Sequence, residues 1–185
     1  SYRMPVVYDL DGTANVLYSN SESVTSAQVE LQVASSYLSS ISYKIDEITL
    51  RVEHEYQGWS LMDNQKIVND QDVLLVLERN FEASQAYRFR LDYALDDGVI
   101  LHGGLSYEDG VTPEEYHGPG LAEHDQIEAG LGLTWPFNDS LSLHSTFFYQ
   151  HFFDRRVVSS LQKPTTNGDY TDRRQYLTLN LRWKL

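Results

Sequence analysis

The chain has 185 residues, 27 Asp and Glu against 14 Lys and Arg, a formal charge of −13 and no cysteine. That balance excludes a nucleic-acid partner, which needs a basic footprint for phosphate, and the missing cysteine excludes a disulfide framework or a thiolate metal site. The hydrophobic share is 41 %, yet no stretch approaches the ~20 consecutive apolar residues of a membrane helix, which leaves a membrane β-barrel open because only alternate residues need be apolar there.

The sequence opens Ser1, Tyr2, Arg3 with no initiator Met and no basic-then-apolar leader, so a signal peptide is expected to be absent or already removed. Residues Tyr2 to Leu10 are the candidate for an extra strand. From Ala27 to Ile45, Val29, Leu31, Val33, Tyr37, Ile41, Tyr43 and Ile45 alternate with polar residues, which predicts one long strand. Asp46 and Glu47 turn the chain. Ile48, Leu50, Val52 and Tyr56 then carry the alternation back towards Trp59.

Residues 60 to 84 are less regular and predict a long loop carrying its own strand extension. Tyr87, Phe89, Leu91, Tyr93 and Leu95 form the next apolar face, and Asp96, Asp97 and Gly98 signal a hairpin. Val99, Leu101, Leu105 and Tyr107 continue beyond it. Gly110, Pro113, Gly118, Pro119 and Gly120 mark a loop from Asp109 to Glu123. Strands resume with Ile127, Ala129, Leu131, Leu133 and Trp135, turn at Pro136 to Asp139, and return through Leu141, Leu143, Phe147 and Tyr149. After a polar segment from Asp154 to Asp172, Leu177, Leu179, Leu181, Trp183 and Leu185 line one face of a closing strand.

Connections at 46–47, 96–98 and 136–139 are tight, whereas those at 60–84, 110–123 and 154–172 are long. Strict alternation puts all tight turns at one end, as in outer-membrane barrels with short periplasmic turns and long external loops. The carboxyl terminus falls at the periplasmic end. Strands of about 11 residues, at ~3.3 Å each and tilted by ~40°, match an apolar band of ~25 Å.

Three sets of segments carry a resemblance. They are Tyr87 to Asp97 with Ile100 to Asp109 and Val111 to Tyr116; Ile48 to Ser60; and Gly168 to Tyr170 with Tyr176 to Trp183. Their order and spacing resemble the carboxyl-terminal half of the FadL/TodX family of outer-membrane transporters for long-chain fatty acids and other hydrophobic compounds. The departures from the family pattern are Val33-Ala34-Ser35, Leu121 to His124, and Leu185 in place of a terminal Phe.

The resemblance implies an all-β, antiparallel transmembrane up-and-down β-barrel in the bacterial outer membrane. That family has a fourteen-stranded barrel with an amino-terminal hatch, and seven clear strands with a candidate eighth make only a partial barrel. Open edges are not tolerated in lipid, so residues 1–185 are expected to be the carboxyl-terminal part of a longer protein. The closing strand would then pair with a strand outside this chain. The implied function is passive binding and diffusion of a long-chain fatty acid or aromatic hydrocarbon, with no catalytic residue, cofactor or metal. Implied partners are outer-membrane lipid and lipopolysaccharide and the barrel-assembly machinery.

Opposite the apolar faces, Arg88, Arg90, His102, Glu128 and His144 are expected to face the lumen. Arg88, Arg90, His102 and His144 are the ligand-binding candidates, the first three as partners for a carboxylate. The alternative is that they pair with Asp92, Glu108 and Glu128 across neighbouring strands and fill a polar lumen. Leu74, Val76, Leu121, Phe152 and Phe153 lie near the external loops, to meet an apolar ligand or pack the loops. His117, His124 and His151 sit near the external loops beside acidic residues, an opening for a divalent site, but they lack tight metal-ligand spacing. Two other functions remain open: a barrel lipase using Ser106 with His144 or Ser142 with His102, and a structural or adhesive barrel recognising something outside through its acidic loops.

Overall fold

The computed structural model describes residues 1–18, 21–69, 72–118, 124–162 and 164–184. Leu185, Leu121 and the expected loop residues Pro119 and Gly120 lie outside them. The described strands, in chain order, are β1 (Tyr2–Arg3), β2 (Val6–Tyr18), β3 (Ser21–Val33), β4 (Ser36–Ile45), β5 (Ile48–Gln57), β6 (Asn64–Val68), β7 (Val73–Glu78), β8 (Ser84–Ala94), β9 (Ile100–Glu108), β10 (Gln126–Pro136), β11 (Leu141–Phe152), β12 (Arg155–Val157), β13 (Gly168–Tyr170) and β14 (Arg173–Trp183). Helix among the described residues is limited to single 3-10 turns at Trp59–Leu61 and Glu114–Tyr116.

The main sheet is antiparallel, in the order β1-β4-β5-β8-β9-β10-β11-β14. It contains the seven expected strands, and Tyr2 and Arg3 supply the edge of an eighth by pairing with Tyr37 and Ser36. The three tight turns are built from residues suited to them. Asp46 takes a φ of 49° and Gly98 one of 80°, the left-handed region that glycine enters without steric penalty. Asn138 accepts from the backbone N–H groups of Ser140 and Leu141 at 2.9 Å each, closing the third turn.

Two expectations at the amino-terminal side need correction. Ala27 to Ile45 is not one strand: the chain leaves one sheet at Val33 and enters another at Ser36. Apolar residues keep odd positions on both sides of the break, so periodicity does not register it. The small residues Ala34 and Ser35 make the break, with Ala34 buried and the Ser35 carbonyl accepting from Gly58 N–H. Nor does Tyr2 to Leu10 form one barrel strand. Beyond Arg3 the chain becomes β2, which pairs with β3 over 13 residues. This hairpin joins β6 and β7, the extension expected within 60–84, in a separate four-stranded sheet.

The main sheet inverts the usual inside-out rule. Ile41, Leu131, Leu179 and Trp183 are exposed on its convex face, Leu131 by 72 %, and in water that face would be an aggregation surface. Tyr56, Tyr87, Tyr107 and Tyr149 stand towards its long-loop end, and Trp135, Phe137 and Trp183 at its tight-turn end. An apolar band between two aromatic girdles is the surface of a barrel wall in lipid. Leu131→Arg at mid-height should therefore lower the unfolding free energy of the protein in bilayers by about 2–4 kcal/mol. Denaturant titration in vesicles measures it, and a change no larger than that of a loop substitution would contradict the lipid-facing assignment.

Nearly all fully buried side chains lie at the long-loop end: Ala34, Ser84, Ala86, Val111, Thr112, His117, His124, Phe152 and Val157. The loops thus have a small core of their own. β12 and β13 form a short hairpin within it.

Candidate functional site in the barrel lumen

Side chains on the concave face form horizontal rows, because antiparallel pairing places one residue of each strand at the same height. Register puts Arg51, Arg90, Gly104, Gly130, Phe148 and Tyr176 in one row across six strands. At ~4.8 Å between strands the row runs for ~24 Å. It begins with two guanidinium groups, passes over two glycines, and ends on two aromatic rings stacked at 4.9 Å. The row crosses a concavity of about 290 Å³ lined also by Glu53, Arg88, Asp92, His102, Glu128 and His144.

The glycines have different reasons to be there. A Cβ on Gly130 would stand 3.0 Å from the Phe148 ring, so its absence lets that ring lie down over the sheet. A Cβ on Gly132, one row lower, would meet Thr146 Oγ1 at 2.9 Å and the Ser145 carbonyl at 3.0 Å. Gly104 has only the Phe89 carbonyl near, at 3.5 Å. Its effect is to leave the trough open.

Arg51 and Arg90 face each other directly. Like charges in that position repel, and neither guanidinium has an ion-pair or hydrogen-bond partner among the described residues. A concave site with two uncompensated guanidiniums attracts a carboxylate or phosphate. The row above is balanced: Arg88 binds Glu55 at 2.8 Å, and Tyr176 donates from the row below to Glu128.

Below the trough, towards the tight turns, a hydrogen-bonded chain crosses four strands. His102 Nδ1 meets Asp92 at 2.7 Å and His102 Nε2 meets Thr134 Oγ1 at 2.7 Å. Thr134 Oγ1 also meets His144 Nδ1 at 2.8 Å, and His144 Nε2 meets Thr146 Oγ1 at 3.0 Å. With Asp92 ionised and both imidazoles neutral, one proton arrangement satisfies every link. His102 donates to Asp92, Thr134 donates to His102, His144 donates to Thr134, and Thr146 donates to His144. Both histidines are consumed by this network.

Residues 1–184 match the family described as outer membrane protein transport protein (OMPP1/FadL/TodX). The chain belongs to that family. Its location is the bacterial outer membrane and its fold a FadL-type β-barrel. Among solved structures it is similar to that described as "Crystal structure of a Pseudomonas aeruginosa FadL homologue", with a TM-score of 0.78 at 15 % identity. The alignment covers 97 % of this chain and 45 % of that chain, so this FadL/TodX chain spans less than half the length of the structure it matches. No curated protein matches the sequence.

The four candidate residues all line the concavity, in two different states. Arg88 and His102 are paired across strands, to Glu55 and Asp92, and His144 is held by two threonines. Arg90 is free, and its neighbour is Arg51, which was not among the candidates. Arg51 shares the parity of Glu53 and Glu55, but its register against Arg90 is set across the long 60–84 connection, and a long loop does not fix register. The lipase pairs are not formed, since neither Ser106 and His144 nor Ser142 and His102 are hydrogen-bonded; His102 reaches Thr134 instead. His151 is not in ring contact with His117 or His124, which do meet. No group of three metal-ligating side chains forms among the described residues.

Proposed function

We propose that this chain is the carboxyl-terminal arc of a larger outer-membrane barrel through which long-chain fatty acids and other hydrophobic small molecules pass by binding and diffusion. The carrying observation is the row from Arg51 to Tyr176. An amphiphile laid across it places its carboxylate between Arg51 and Arg90, its chain over Gly104 and Gly130, and its far end against Phe148 and Tyr176. Pockets for such ligands combine apolar walls with a few placed polar groups. Arg88, His102 and His144 hold the walls in position, and Arg90 with Arg51 meets the ligand. No covalent step is needed.

The main sheet, open at β1 and β14, supports the partial-barrel reading, because sheet edges in lipid must be paired. Near the external end, Pro5, Val6, Val33, Trp59, Leu61 and Met62 line an apolar groove suited to first capture of a hydrophobic molecule. The acidic loops fit lipopolysaccharide bridged by divalent cations, and the apolar closing strand fits the barrel-assembly machinery. A strain lacking the full-length gene should take up labelled long-chain fatty acid and aromatic hydrocarbon at well below the wild-type rate, with restoration by the gene in trans. Normal uptake of both in the deleted strain would remove this reading.

A further inference from the structure

The external loops bury two histidines that the lumen does not use. His117, in the loop after β9, is 0 % exposed and neither ring nitrogen has a hydrogen-bond partner. His124, 3 % exposed, lies with its ring centroid 5.0 Å from that of His117. Its Nδ1 donates to the Phe153 carbonyl at 2.6 Å, which leaves Nε2 as a buried lone pair without a partner. Tyr170 of β13 closes the other side of His117 with its ring edge-on at 4.5 Å.

We infer that His117, packed against His124, forms an acid-released clasp, which holds the 110–118 loop against the 153–170 segment when its imidazole is neutral and lets the two separate when it is protonated. The two segments are docked by a short set of contacts. Leu161 N–H donates to Glu115 O, Gln162 Nε2 to Tyr116 O, Thr166 Oγ1 to His117 O, and Arg155 to Thr112 O. All of these surround His117.

The charged groups around the pair oppose its protonation, are already engaged, or lie exposed to solvent. Arg155 of β12 is the near cation. Of the carboxylates, Asp125 accepts from Gly110 N–H and Tyr107 OH, and Asp172 is held by Arg174 at 2.6 Å. Asp169 and Arg156 of the β12–β13 hairpin face solvent, and Glu114 and Glu115 on the loop itself make no ion pair with a described residue. His151 packs on Phe153, away from the pair. A His117 imidazolium here would carry two N–H donors with no acceptor, beside the His124 ring and a guanidinium.

Burial, followed by the positive charges of His124 and Arg155, lowers the His117 pKa from 6.5 to about 4. The docked state therefore binds fewer protons than the open one. Docking is complete above ~pH 6.5 and weakens as the pH falls from there towards ~4, by up to tenfold per unit. His124 also borders a second concavity of about 270 Å³ with Trp59, Gly110, Phe152 and Arg174, at the long-loop end of the lumen. Release of the clasp uncovers that end.

Hydrogen–deuterium exchange of the full-length protein in lipid discs tests this at about pH 7.5 and about pH 5, after correction for intrinsic exchange. Peptides within 110–118 and 153–170 should lose protection by up to ~30-fold at the lower pH, the limit for one histidine with an exposed pKa of ~6.5. Those in β8 and β10 should not change. His117→Phe keeps an aromatic ring without a proton site and should hold its protection at both values. Equal loop protection in the wild-type protein at both pH values overturns the proposal, as does a full pH response in His117→Phe. Should His117→Phe fail to fold, His124→Asn, which keeps a donor for Phe153 O, takes its place: a clearly weakened response supports the clasp and an undiminished one overturns it.

Discussion

Replacing Arg51 and Arg90 together by Ala should cut uptake of a long-chain carboxylate by ~10- to 100-fold and leave a neutral hydrocarbon of similar size near its wild-type rate. Hydrogen bonds to charged groups contribute about 1.5–3 kcal/mol each, and the two guanidiniums have no anion to satisfy first among the described residues. Removing them also relieves a like-charge contact across β5 and β8, so the variant should fold at least as well as the parent. Arg88→Ala is the control of opposite character. Its partner is Glu55, and its loss leaves a half-buried carboxylate unpaired, with little direct effect on the ligand. Fatty-acid and hydrocarbon uptake measured side by side in cells with matched surface levels decides the matter. Equal losses for both ligands would show that the arginines shape the barrel and do not meet the carboxylate.

A phenylalanine at Gly104 should block both ligand classes, lowering uptake by more than ~10-fold. The added Cβ meets nothing closer than 3.5 Å, so the strand can accept it, and the ring then fills the trough between the cations and the Phe148–Tyr176 stack. A ligand has to give up contact area worth ~25 cal/mol per Å² or find another path. Gly132→Phe is unsuitable for this purpose, because its Cβ would collide with Thr146 Oγ1 and the Ser145 carbonyl and its failure would report folding. Heat-modifiable migration of the folded barrel separates the two cases. Undiminished uptake by a folded Gly104→Phe protein would mean that the row is not on the route.

What sequence made legible follows from how each contact is tied down. Strands and their faces could be read because lipid demands strict alternation, from Tyr87 to Leu95 and from Leu177 to Trp183. Contacts that straddle a tight turn could be read as well: the turn at 96–98 sets Asp92 against His102, and that at 136–139 sets Thr134 against His144. Those spanning a long loop could not. Arg51 with Arg90, Gly104 with Gly130, and Phe148 with Tyr176 each depend on a register that no turn specifies. The site row alternates between these two kinds of neighbour, so only two of its five joints were visible. The Ala34–Ser35 break was hidden for a different reason, since parity continues through it. The loop core around His117 was hidden because burial there comes from three segments that are distant in sequence.

The alternation of tight and long connections also bears on how the sheet is assembled in time. A hairpin closed by two to five residues zips within microseconds, and its pairing survives without help from the rest of the chain only briefly. β4–β5, β8–β9 and β10–β11 are three such units, each with its register set locally. Joining β5 to β8, β9 to β10 and β11 to β14 requires closing loops of more than a dozen residues, at an entropic cost that grows with loop length. The wall is therefore expected to grow by docking preformed hairpins, with misregistration, when it occurs, confined to the three seams between them. Those seams are where the ligand row is stitched together, so a barrel could be complete in every hairpin and still lack its site by a slip of one strand pair.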